Sequence, residues 1–153
     1  HHYAAAARVY KHVVDLGPDR PYYLSAALNA GQCYFDDNRF EEADRWFTSL
    51  QEQFPDSAHY RDRAGRLGTL ARFKIAEKLA AGGRSEESAR LMQSVAMAAN
   101  ETALRDRALF EAAAQFQKLK NNREAAQALE QLAAQQPPSE LADEALYRAA
   151  VLR

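Results

Sequence analysis

Four histidines, one cysteine and a run of carboxylates are the side chains best equipped for chemistry here, and their spacing decides what chemistry is open to them. His1, His2, His12 and His59 show no metal-ligand spacing, and none pairs with Cys33 or a carboxylate in a recognisable site motif. They read as surface residues; His1 and His2 are either a tag remnant or native. Asp36, Asp37 and Asp44 lack the spacing of a calcium loop and suit a turn and a helix start instead. Gly65, Gly68, Gly82 and Gly83 form neither a phosphate loop nor a dinucleotide fingerprint, and the first two suit a helix thinned for close packing. Cys33 reads as a small packed residue rather than a nucleophile. With no nucleophile elbow and no paired carboxylates in a plausible cleft, the sequence predicts a protein that is not an enzyme and needs no metal or cofactor.

Composition says what kind of scaffold must position these residues. The 153 residues are 47% hydrophobic and 27% charged, enough to bury a core and too apolar for disorder. Alanine is about a fifth of the chain, while Gly (6) and Pro (5) are scarce, which favours helix throughout and no sheet. A formal net charge of -1 removes the attraction that a phosphate backbone or an anionic membrane needs, and argues against a nucleic-acid partner. A single cysteine leaves the redox compartment open. No apolar run approaches the ~20 residues of a transmembrane helix, and no signal or lipidation motif is present.

The stretch 38–57, NRFEEADRWFTSLQEQFPDS, contains a skeleton that recurs. Ala43, Phe47 and Leu50 share one helix face, and Pro55 stops the helix. Ala6, Tyr10, Val13 and Pro18 repeat it, as do Ala125, Leu129, Leu132 and Pro137; Ser88, Met92, Val95 and Asn100 form a degraded copy. The stopping positions 18, 55, 100 and 137 are separated by 37, 45 and 37 residues. Before each skeleton lies a helix with small residues and an aromatic: Ala27, Ala30, Gly31 and Tyr34 in one case, Leu109, Ala112, Ala113 and Phe116 in another. Short polar turns join the two: Asp36-Asp37-Asn38, Ala81-Gly82-Gly83 and Lys120-Asn121-Asn122.

With Gly31, Tyr34, Ala43, Phe47 and Pro55 on its grid, the chain resembles the tetratricopeptide repeat (TPR) family along essentially its whole length. It departs in lacking a first-helix tryptophan, in periods longer than ~34 residues and in a weak second full unit. The Phe-Pro-Asp-Ser close and the Ala145-Leu146-Tyr147-Arg148 start resemble, more narrowly, TPR proteins of bacterial envelope assembly, of the outer-membrane assembly lipoprotein and Tol-Pal accessory type. That narrower likeness favours the periplasm or cell envelope over the cytoplasm.

The expected fold is therefore all-α, a right-handed α-α superhelix of about eight antiparallel helices near 3–16, 21–36, 39–54, 58–81, 84–99, 101–120, 122–135 and 139–153. We expect one solenoid domain over 1–153, an excerpt of a longer array with units near 1–20, 21–57, 58–100, 101–138 and 139–153. The step of 45 adds about two helical turns, which fall in the helix 58–81. Unpaired end helices would expose apolar residues such as Leu146 and Leu152 and invite a homo-oligomeric contact.

The resemblance implies a concave groove lined by the first helix of each unit. Carried onto this sequence, its apolar ladder is Leu28, Phe73, Phe110 and Tyr147. Around it fall Ser25, Gln32, Phe35, Asp36, Leu70, Glu77, Arg107, Gln117 and Lys118. Apolar anchors with a polar rim suit a protein or peptide segment. The alternative is that these side chains pack inside the solenoid, making the chain a structural spacer or self-assembly segment. Charge is uneven too: residues 36–56 carry seven acids against two bases, residues 59–90 eight bases against four acids. Opposed patches of this kind either bind a partner or are solvated helix faces.

Overall fold

The computed structural model describes residues 2–19, 22–54 and 56–153. The described residues form eight helices and no strand: α1 (Tyr3–Asp15), α2 (Tyr23–Asp36), α3 (Phe40–Gln53), α4 (Ala58–Ala81), α5 (Ser85–Ala98), α6 (Thr102–Lys118), α7 (Asn122–Ala133) and α8 (Ala142–Leu152). The architecture is an all-α helical repeat solenoid. The expected helix start at position 21, the helix stop at Pro55 and His1 lie outside the described residues. The largest difference from expectation is at α8, which begins at Ala142 rather than 139. Ser139 forms a turn there: its Oγ accepts from Leu141 N at 3.1 Å and its carbonyl from Ala142 N at 3.1 Å.

The chain divides into two compact units, residues 1–71 and 72–153, with the boundary inside α4. α4 has 24 residues against 14 in α2, so the extra turns of the long period do fall in it.

In the first unit, α1 packs on α2 and α2 on α3. Its core holds Ala27, Leu28, Ala43, Phe47, Leu50, Ala64 and Ala71. The small residues matter because α2 and α3 approach closely. A Cβ on Gly31 would lie 2.5 Å from Phe47 Cε1 and 3.0 Å from Trp46 Cδ1. Trp46 Nε1 also donates to the Ala27 carbonyl at 2.6 Å. The tryptophan missing from the first helix thus has a substitute reaching over from the second.

In the second unit, α5 packs on α6, α6 on α7 and α7 on α8. Phe73, Met92, Leu109, Phe116, Leu129 and Leu132 dominate its core, filled in by alanines. Burying each such large side chain contributes about 1.5–3 kcal/mol. Ser88, in the alanine slot of the degraded copy, is fully buried and donates its hydroxyl to the Ala76 carbonyl at 2.8 Å. Its polarity is satisfied, so the slot still packs.

One turn recurs in the same form. Asn38 (φ 59), Gly83 (φ 79) and Lys120 (φ 59) adopt the left-handed conformation at equivalent positions. The next N–H, of Arg39, Arg84 or Asn121, closes back at 2.9 Å on the carbonyl of Tyr34, Leu79 or Phe116. In the third turn the left-handed residue is Lys120, ahead of the two asparagines. Asn121 instead caps α7, its Oδ1 accepting from Glu124 N at 3.4 Å.

Candidate functional site: the first-helix face

The helices α2, α6 and α8 and the second half of α4 carry the residues expected to meet a partner. On α2, Leu28 is 3% exposed and belongs to the core. Gln32 is half-buried and donates to Asp36 Oδ1 at 2.8 Å. Phe35 is half-buried, edge-on to Phe40 with centroids 5.1 Å apart. Leu70, on α4 in the same unit, is also half-buried. Ser25 shares a 3.3 Å hydrogen bond with the Tyr60 hydroxyl.

In the second unit the ladder is graded. Phe73 is 1% exposed, Phe110 half-buried and Tyr147 72% exposed. The expectation of open apolar anchors is therefore corrected at Leu28 and Phe73, whose side chains are consumed by helix packing. An arginine lies over each of the two covered rings. The Arg107 guanidinium lies 4.8 Å from the Phe73 ring centroid and donates to Glu77 Oε1 at 2.7 Å. Arg148 lies 4.8 Å from the Phe110 centroid. Glu77 Oε2 also accepts from Lys74 Nζ at 2.7 Å, so this carboxylate is clamped from two helices. Gln117 and Lys118 are exposed.

Sequence reasoning placed Arg107 on the rim but missed Arg148. The signal was there: Arg107 follows Phe73, and Arg148 follows Phe110, by about one period. Elsewhere in the second unit, Arg90 bridges α5 to α7, donating to Glu124 at 2.8 Å with its guanidinium 5.4 Å from the Phe116 centroid.

The apolar face expected on α8 is present in part. Leu146 is 54% exposed, but Leu152 is half-buried against the core.

Among the described residues no three His, Cys, Asp or Glu side chains group to hold a metal ion. Cys33 is half-buried, and burial, aided by Asp36, pushes its thiol up from the usual range, away from the reactive thiolate. An open groove of about 600 Å³ is lined by Leu79, Glu86, Glu87, Arg90, Leu91 and Ser94. Arg90 lies 3.9 Å from Glu86, and Glu87 is paired with Arg84, so these groups are engaged with one another rather than poised as acid and base. Among the described residues no helix is long and apolar enough to cross a membrane.

Two segments match family models. Residues 1–67 match one described as tetratricopeptide repeat, and residues 107–139 match a second of the same description. No curated protein and no solved structure matches the chain. The matched segments contain the helix pairs α2–α3 and α6–α7, where small first-helix residues meet a large second-helix side chain. Residues 1–67 and 107–139 are thus each similar to the tetratricopeptide repeat family.

Proposed function

We propose that this protein is a non-catalytic protein-protein interaction scaffold and that it holds a partner segment on its first-helix face. The observation that carries the proposal is the second unit's mixture of accessible rings and positioned polar groups. Tyr147 is exposed, Phe110 is half-buried under Arg148, Arg107 lies over Phe73 and is bonded to Glu77, and Gln117 is exposed on the same helix as Arg107 and Phe110. An exposed aromatic beside a preordered guanidinium offers desolvation energy and register together, at little cost in side-chain entropy. In the first unit the half-buried Phe35 and Gln32, the latter bonded to Asp36, lie on the first helix α2. The narrower likeness of Phe54-Pro55-Asp56-Ser57 and of the α8 sequence to envelope-assembly proteins makes a bacterial envelope or secretion assembly the proposed setting.

A second reading is favoured by the burial of Leu28 and Phe73: the repeats serve as a structural spacer or self-assembly segment. The two readings separate in a pull-down from bacterial envelope and cytosolic extracts, run with the parent and a Phe110→Ala/Tyr147→Ala variant of equal melting temperature. The scaffold reading predicts a partner retained by the parent and lost by the variant. Equal retention, or no retention by either, favours the spacer.

A further inference from the structure

The three left-handed turns share one backbone geometry but not one charge. In the first, the positions two before, at and three after the left-handed residue are Asp36, Asn38 and Glu41. They are Ala81, Gly83 and Glu86 in the second turn, and Lys118, Lys120 and Arg123 in the third. Each turn closes with the same 2.9 Å hydrogen bond, so the backbone geometry does not call for cations at these positions.

The cations of the third turn have no acid to balance them. Lys118, Lys120 and Arg123 are exposed, and among the described residues none of the three forms an ion pair. Lys118 Nζ donates to the neutral side-chain oxygen of Gln115 at 3.4 Å. Glu124, the next residue after Arg123, has both oxygens taken by Arg90, at 2.8 and 3.2 Å. Lys118 suits the negative end of α6. Arg123, however, lies in the first turn of α7, at the positive end of a helix, where α3 and α5 carry Glu41 and Glu86. A carboxylate arriving from outside would offset both the guanidinium and the helix end. Between the two lysines Leu119 is 46% exposed and gives such a ligand an apolar contact.

We propose that the α6–α7 turn docks an acidic segment of a partner protein, one in which an apolar residue is flanked by carboxylates. The apolar side chain lies on Leu119 while the carboxylates meet Lys118, Lys120 and Arg123. This surface is additional to the first-helix face and does not depend on Phe110 or Tyr147.

Fluorescence anisotropy of the 153-residue chain with a labelled peptide of repeated Glu-Glu-Leu triplets tests this. A Gln-Gln-Leu peptide is the neutral control, and single-stranded RNA and phosphatidylserine vesicles are competitors. The variant Lys118→Ala/Lys120→Gly/Arg123→Glu gives the third turn the residues of the second. All three side chains are exposed, so it is expected to melt at or above the parent; if it does not, Lys118→Gln/Arg123→Gln replaces it. The acidic peptide is expected to bind the parent, to weaken as salt rises, and to bind the variant about tenfold more weakly or worse. A Phe110→Ala/Tyr147→Ala variant, which tests the first-helix reading, is expected to bind this peptide like the parent. No binding by the parent, equal binding by the turn variant or of the glutamine peptide, or loss in the Phe110→Ala/Tyr147→Ala variant overturns the proposal. So does displacement by RNA or vesicles at a lower concentration of charge than unlabelled acidic peptide needs.

Discussion

The ring of Phe47 occupies the space that a β-carbon on Gly31 would need, with Cε1 only 2.5 Å and Cζ 2.7 Å from it. Phe47 is fully buried and has nowhere to turn. Gly31→Ala is therefore expected to destabilise by about 1–3 kcal/mol through overpacking, against a helix-propensity gain of about 1 kcal/mol. Gly65 makes the control. A Cβ there meets only the amide end of Gln51, at 2.8 Å, which can swing away. Gly65→Ala should be neutral or stabilising by up to about 1 kcal/mol. Urea denaturation of both variants checks the pair, and similar losses in both would contradict this account of the α2–α3 contact.

Phe73 belongs to folding rather than recognition. At 1% exposed within the second unit's core, its truncation to alanine should cost about 3–5 kcal/mol. Arg107→Ala removes only an exposed ion pair and a ring contact, and should cost about 1 kcal/mol or less. Thermal melts of the two single variants decide it. Losses of the same size would mean that Phe73 is less enclosed than described.

Lys120 holds a left-handed conformation in the place that Gly83 holds in the preceding turn. A side chain there costs about 1 kcal/mol that glycine avoids. Lys120→Gly should accordingly stabilise by a fraction of that, since glycine also gains freedom in the unfolded chain. The opposite substitution, Gly83→Ala, should destabilise. Both are read from the denaturation midpoint.

Three glutamates should give the protein a shared acid sensitivity. Hydrogen bonds from Arg39, Arg84 and Arg153 hold Glu42, Glu87 and Glu130 below the ordinary value of 4.5. With folded values depressed, the unfolded chain binds more protons in that range. The pairs therefore contribute stability above the ordinary glutamate value and lose it as pH falls through the lower folded values. All three are at the surface, so salt should blunt the effect. Melting temperature followed from about pH 6 to about pH 3 at low and high salt checks this. A melt insensitive to acid at low salt would contradict it.

The helices were legible because alanine, aromatic and stop residues recur at a constant spacing, and the register of that pattern locates each one within a few residues. The turn geometry was half legible. Local sequence marked the three turns, but in the third it is Lys120 that turns left-handed while Asn121 caps α7. The site was least legible. Spacing places Leu28, Phe73, Phe110 and Tyr147 on one kind of face, yet whether each ring is covered depends on residues far along the chain. Arg107 reaches Phe73 and Arg148 reaches Phe110 only because the next first helix lies alongside. A ladder in sequence thus becomes a gradient of exposure in the folded units.

Photo-crosslinking tests the central claim most directly. A photoreactive phenylalanine analogue is placed in the full chain at Tyr147, on the first-helix face, or at Met97, which is 90% exposed on the second helix α5. Each protein is then irradiated in bacterial extract. The scaffold reading predicts a discrete partner adduct from position 147 that is absent from position 97 and is lost when Phe110→Ala is added. Adducts from position 97 alone, or equally from both positions, would contradict it.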